Sequence, residues 1–241
     1  MNNIAPANGP LQAHSLTNLA QNEIERMILG GQFMPGERIN ENALANQLGI
    51  SRGPVREACR SLSAMGLVQL VPNRGVFIRV ISEEEAREVY EMRAGIFGYA
   101  GMLLAHHIDD TQLAYLKRLV GQMEAAAQAN DFDRYYAPNL TFHDFLVSAT
   151  GNQRLLATYH DLVRQLHLFR SRGLVSGDGM LDSNREHRDI VAALEARNPQ
   201  RAFKAMAGHV EAGQRRALGG AAKHSLATSR GKSFDHLEPY S

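Results

Sequence analysis

The sequence predicts a mainly α-helical chain in two parts: three short helices closed by a β-hairpin, then an antiparallel six-helix bundle. Three observations carry this. Apolar residues recur at three- and four-residue spacing through most of the chain. One interval breaks that period, where LVQLV and VFIRV alternate around Pro72-Asn73-Arg74-Gly75. Glycine and proline punctuate the helical stretches, so the connections between them are short.

The 241 residues, 44% of them apolar, suffice for one large domain or two small ones. No apolar run approaches the ~18 residues of a membrane span, and the first residues lack the basic-then-apolar layout of a secretory leader. Cys59 is the single cysteine, which excludes an intrachain disulfide and fits a reducing compartment. A cytoplasmic protein without membrane contact is expected.

Residues 1–14 are polar and aperiodic, a predicted flexible arm. The first domain is expected over 15–80. Its first helix places Leu16, Leu19, Ala20, Ile24, Met27 and Ile28 on one face and ends at Gly30-Gly31. Pro35-Gly36 marks a turn. A second helix follows Asn40 and stops at Gly49. Ser51 is expected to cap a third, with Pro54 in its first turn, where a missing N–H is harmless, and Gly66 closing it. Two strands joined by a tight turn at PNRG complete the domain.

The second domain is expected over 82–218. Ser82 and Glu85 form a capping-box pattern for a helix running to about His107. Further helices are predicted from Thr111 to near Asn130, over 132–149 with Pro138 as a kink, over 152–172, over 182–197, and over 199–218. GLVSGDG is a loop, and residues 219–241 form a flexible tail.

The net charge of +1 excludes neither nucleic acid nor other partners, but its distribution is informative. Residues 51–79 hold five arginines against the single acid Glu57. Two short helices around a glycine turn, the second led by arginines, make a helix-turn-helix, and the hairpin makes it winged. Arg52 and Arg56, four apart, share one face at the start of the third helix, where a guanidinium can read guanine O6 and N7. Ser51 and the helix N-terminus suit a phosphate. Arg74 and Gly75 at the hairpin tip suit the minor groove.

In the second domain Asn139 and His143 share a helical face, while His187 and His209 sit on two other helices with apolar stripes. Three imidazoles and one amide oxygen meeting inside a bundle could hold a divalent cation such as zinc or nickel. Three unconnected histidines are the other reading. Glu186 adjoins His187, about 100° away around its helix, so no general base is evident for the alternative function, a metal-dependent hydrolase.

The run PGERINENALANQLGISRGPVREACRSLSAMGLVQLVPNRGVFI resembles the N-terminal domain of the GntR family of bacterial regulators. That resemblance implies DNA contacts from Ser51, Arg52, Arg56, Arg74 and Gly75. Gly53 stands where relatives often carry Thr. The pattern FH, EH..I..AL and a late His is similar to the FCD ligand-binding domain of the FadR-like branch. It implies a metal held by Asn139, His143, His187 and His209, and Arg93 facing the cavity, although Arg93 could equally serve a salt bridge in the bundle. Phe97 occupies a place where relatives usually carry Glu. Arg164 and Arg170 are further candidates near the ligand. Together these imply a homodimeric transcription regulator, a repressor in preference to an activator, on operator DNA. A small anionic effector, a carboxylate or phosphonate, would control it.

Overall fold

The computed structural model describes residues 10–29, 32–166, 174 and 178–229, with side chains for 15–28, 32–166, 174 and 178–219. The expected arm before residue 10, most of the GLVSGDG loop, Arg170 and the tail beyond 229 lie outside the described residues. The chain divides into two compact units, Met1–Ser82 with Val163–Leu168, and Glu83–Leu162 with Phe169–Ser241.

In the first unit, helix α1 (Pro10–Leu29) precedes a two-residue strand, β1 (Arg38–Ile39). Helices α2 (Glu41–Leu48) and α3 (Arg52–Ala64) follow, then β2 (Val68–Val71) and β3 (Gly75–Ile78). The α1 backbone begins at Pro10, inside the segment read as an arm. Of its expected apolar face, Ala20, Ile24, Met27 and Ile28 are buried, but Leu16 and Leu19 are exposed at 36% and 51%. Asn40 caps α2, its Oδ1 accepting from the backbone N–H of Asn42 and Ala43 at 3.1 Å. Gly49 ends α2 at φ 65°, a left-handed position that glycine occupies without a Cβ clash. The three residues Gly49, Ile50 and Ser51 then form the turn into α3. Val55, Ala58, Cys59 and Leu62 turn inward against Ala20, Ile24 and Ile28, which leaves the opposite face of α3 to solvent.

Ser51 holds the N-cap position, but its side chain makes no capping hydrogen bond, contrary to expectation. Pro54 is the third helical residue and has no N–H to offer a capping hydroxyl. The hydroxyl is therefore not used by the helix. The sheet order is β1-β3-β2, all antiparallel. Strand β1 pairs Arg38 with Phe77 and Ile39 with Val76 where the sequence showed only a turn. Two residues are too few to display alternation.

The described helices after Ser82 are α4 (Glu83–Leu104), α5 (Asp110–Gln128), α6 (Phe132–Ser148), α7 (Gln153–Gln165), α8 (Gly179–Glu195) and α9 (Pro199–Ser229), all in the second unit but for the end of α7 from Val163. Asp109, not Thr111, opens α5 through a capping box with Gln112. Helix α8 starts three residues before the expected Asp182, and the α9 backbone continues beyond Leu218 to Ser229. Helices α4 and α9 approach closely because α4 carries glycines at the crossing. A Cβ on Gly101 would stand 2.5 Å from Met206 Sδ and 2.9 Å from the Ala202 carbonyl oxygen. This contact fixes the level at which Arg93 on α4 and His209 on α9 look into the bundle.

Candidate functional site

On the first unit, Ser51, Arg52 and Arg56 are exposed at the start of α3. Arg60 is held by Glu57 at 2.6 Å. Arg56 approaches Glu41 Oε1 only to 3.9 Å and keeps 64% of its side-chain surface in solvent. Arg52 and Arg56 therefore present exposed guanidinium groups at the start of α3. In the hairpin, a three-residue connection joins Val71 to Gly75, with Asn73 at φ 59° and Gly75 at φ 104°. Glycine is required at 75 for that angle and for space. Its missing Cβ would lie 3.2 Å from Arg38 Nε. Arg74 is exposed at the tip, its guanidinium 5.8 Å from the Phe77 ring. A helix end and a hairpin tip bearing cations are surfaces for a phosphate backbone and base edges.

Inside the second unit, His143, His187 and His209 are all buried and each offers a ring nitrogen within 4.8 Å of the others. His209 Nε2 stands 3.2 Å from His143 Nε2. Two ligands on one tetrahedral zinc at ~2.0–2.1 Å stand ~3.3 Å apart, so this spacing suits a shared cation. His187 is fully buried and neither ring nitrogen has a hydrogen-bond partner among the described residues. A neutral imidazole carries one N–H and one lone pair, and leaving both unused in the interior is costly. A cation on one nitrogen would remove part of that cost. Asn139, one turn before His143 on α6, is 4% exposed and lines the same cavity.

Glu186, which the sequence set aside as pointing away from His187, belongs to this centre through a different histidine. Its carboxylate accepts from His209 Nδ1 at 2.7 Å and from Arg216 at 2.6 and 2.9 Å. With its proton on Nδ1, His209 turns the Nε2 lone pair toward His143. A carboxylate behind a ligating imidazole fixes its tautomer in this way. Burial acts to raise the Glu186 pKa, but the bonds from Arg216 and His209 outweigh it and hold it at about 2. Burial pushes the His187 pKa well below the usual imidazole value, helped by nearby His209 and Arg216. Burial also lowers His209, against the opposing pull of Glu186. All three histidines lie among apolar helices, so the neutral, ligating form of His187 and His209 is favoured.

Beside the histidines lies about 430 Å³ of atom-free space, part of it open to solvent. Its lining includes Arg93, Asn139, His143, Ser183, His209 and Arg216, and no carboxylate among the described residues. Arg93 is 4% exposed, with its guanidinium 6.0 Å from the Phe97 ring centre and 5.8 Å from that of Tyr159. Its Nε has no hydrogen-bond partner, and no ion pair within the described bundle holds it. Phe97 is fully buried, stacks on Tyr159 at 5.6 Å and touches the His143 ring at 5.2 Å. An aromatic ring therefore fills the place next to Arg93. Arg164 lies outside this lining.

A winged helix-turn-helix followed along the chain by a helical unit with a buried polar cavity is the layout of a DNA-binding regulator with a receptor domain. Residues 16–78 match the family described as bacterial regulatory proteins, gntR family, and residues 88–212 match the FCD domain. The HTH-type transcriptional regulator YdhC of Bacillus subtilis is 30% identical over 192 residues, covering 78% of this chain and 84% of that one. The probable D-xylose utilization operon transcriptional repressor of Paenarthrobacter nicotinovorans is 33% identical over 189 residues, covering 77% and 81%. The structure of Escherichia coli McbR/YncC has the same fold, with a TM-score of 0.71 at 20% identity over 87% of this chain and 98% of that one. The chain belongs to the GntR family of transcriptional regulators, in the FadR-like branch that carries an FCD domain. Its class of activity is DNA binding in transcription regulation, and no described helix is long and apolar enough to cross a membrane.

Proposed function

We propose that the protein is a homodimeric repressor whose grip on a near-palindromic operator is released by a small anion bound beside a metal in the FCD domain. The observation that carries the anion is the cavity itself. It holds the buried Arg93, which has no ion-pair partner among the described residues, and Arg216, itself bonded to Glu186 behind the cavity, with no carboxylate in its described lining. A permanently charged guanidinium out of water is stabilised by an anion, and its fork matches a carboxylate or phosphonate. The histidine triad with Asn139 would hold zinc or nickel and, when loaded, supply an open coordination position for the anion. Asn139 adds no charge, so the loaded site keeps its full positive charge for the ligand. Ser51, Arg52, Arg56, Arg74 and Gly75 would contact the operator.

Repression is favoured by the relative named as a repressor. An effector binding the DNA-incompatible state ~100-fold better supplies ~2.7 kcal/mol of coupling. A hydrolase reading gains no support, because Glu186 is committed to His209 and Arg216. The test is a thermal-shift screen of the zinc- and nickel-loaded protein with small carboxylates and phosphonates, repeated on Arg93→Ala. Stabilisation by an acid, lost in the variant and accompanied by release of operator DNA, is expected. An acid that stabilises Arg93→Ala equally would refute the assignment.

A further inference from the structure

Strand β1 has one inward and one outward residue. Ile39 is buried in the first unit's core, so Arg38, its neighbour on a pleated strand, stands on the outer face of the sheet and is exposed. A charge on an edge strand commonly keeps other strands away, a role that asks only that it extend into solvent. Arg38 instead lies back along its own sheet. It faces Phe77 across the ladder and reaches the hairpin tip, where its guanidinium covers Gly75. Its Nε, Nη2 and Cζ atoms stand 3.2, 3.3 and 3.7 Å from where a Cβ on Gly75 would be. The φ of 104° already calls for glycine there, and Arg38 occupies the space that the missing Cβ leaves.

Arg26 and Arg60 of the same unit pair with glutamates three residues away, at 2.5 and 2.6 Å. Arg38 has no ion pair or hydrogen bond among the described residues. The adjacent Glu37 is committed elsewhere, its Oε2 accepting from the Met34 backbone N–H at 2.8 Å. Arg74 holds its guanidinium 5.8 Å from the ring of the same Phe77 that Arg38 faces. Two cations thus gather around one glycine and one aromatic ring, with no carboxylate paired to either among the described residues. Like charges held together in this way repel, and a polyanion against both relieves the repulsion.

We propose that Arg38 is a further operator-binding residue, one that enters the minor groove beside Arg74 and makes the protein prefer a narrow, A·T-rich groove flanking each half-site. With the start of α3 in the major groove, the hairpin falls on the neighbouring minor groove. That groove is only about 6 Å wide. A glycine at the tip lets backbone and guanidinium enter it together, where a side chain at 75 would hold them out. Negative potential is strongest where the groove is narrowest, and the weakly hydrated guanidinium gives up water to enter it more readily than an ammonium does. Arg38 therefore reads groove width outside the bases read by Arg52 and Arg56. The proposal rests on the reading of the first unit as the operator-binding part.

The full-length wild type and Arg38→Gln are each used to select duplexes from a random-sequence DNA pool, and the duplex selected by the wild type is titrated with both over a range of salt. The wild type is expected to enrich a core half-site flanked by A·T runs. Arg38→Gln is expected to enrich the same core without the A·T flanks. On the wild-type duplex it is expected to bind ~10-fold more weakly, with a salt dependence shallower by about one counterion per copy bound. Arg38→Lys, which keeps the charge, is expected to restore that slope. Thermal unfolding checks each variant, and if Arg38→Gln unfolds, Arg38→Met decides in the same sense. Unchanged flank preference in Arg38→Gln overturns the proposal. So does a loss equal on every flank, which would make Arg38 a phosphate contact, or a slope that Lys fails to restore, which would make its role one of packing. A wild type that enriches no sequence defeats the operator reading and this assignment with it. A wild type that enriches one, matched in flanks and slope by Arg38→Gln, defeats this assignment alone.

Discussion

Glu186→Gln isolates what the carboxylate behind His209 contributes. The amide keeps the size of the side chain but loses its charge, and only one of its two terminal atoms still accepts a hydrogen bond. In the native chain that group receives one bond from His209 at 2.7 Å and two from Arg216 at 2.6 and 2.9 Å. Its pKa, lowered from 4.5 to about 2, corresponds to on the order of 3 kcal/mol of preference for the charged form. The carboxylate ionises above about pH 2 in the fold and above about 4.5 in the unfolded chain. Its contribution is therefore complete above pH 4.5 and fades as the pH falls toward 2. At neutral pH the Gln variant is expected to lose about 2–4 kcal/mol of bundle stability, in the range for breaking a largely buried ion pair. Loss of the partner that orients a ligating histidine is also expected to weaken metal binding 10–100-fold, or ~1.4–2.7 kcal/mol. Chelator competition with zinc measures the second effect, and thermal unfolding of the chelated protein measures the first. A variant that binds zinc within threefold of wild type, with an unchanged melting transition, would refute the positioning argument.

Three further outcomes are expected. Replacing Arg52 and Arg56 together by Ala should abolish sequence-specific shifts in a gel assay, while Arg74→Ala should weaken binding and flatten its salt dependence by about one counterion. Retention of specific affinity by the double variant would sink the recognition-helix assignment. Gly101→Ala should lower the bundle's stability by about 1–3 kcal/mol, since its Cβ would meet Met206 Sδ and the Ala202 carbonyl. Gly53→Ala, with nothing within 4 Å, should not. Both are read by chemical denaturation. The metal-free protein should lose bundle stability as the pH falls below the free imidazole value of ~6.5. Burial, with His209 and Arg216 nearby, keeps His187 neutral in the fold, so the unfolded chain takes up the proton first. A flat melting temperature between pH 7 and 5, roughly the span in which imidazole titrates, would contradict this.

Most of the helices, the hairpin and the cationic start of α3 were legible because each is a local pattern. Apolar period, a capping Asn40, a stopping Gly49 and the PNRG turn act within a few residues. Strand β1 was not, because a two-residue strand exists only through its partner β3. Nor was the silent hydroxyl of Ser51 noticed, though the signal was present. Pro54 at the third helical position removes one of the two N–H groups that a capping hydroxyl can use. Leu16 and Leu19 obeyed the helical period yet are exposed, since periodicity names a face but does not say whether anything covers it.

The order of residues alone determined the two-part layout, the arginines at the start of α3 and at the hairpin tip, and the types of side chain available for a metal. Three-dimensional packing decided which of ten histidines converge, that Glu186 serves His209 across a helix gap, and that Arg93 lies buried without an ion-pair partner among the described residues. The division has a physical cause. Backbone preferences and amphipathic faces are set by neighbours a few positions away. A ligand sphere, by contrast, is assembled from helices tens of residues apart, whose rotation and depth are settled only when glycines and core side chains interlock.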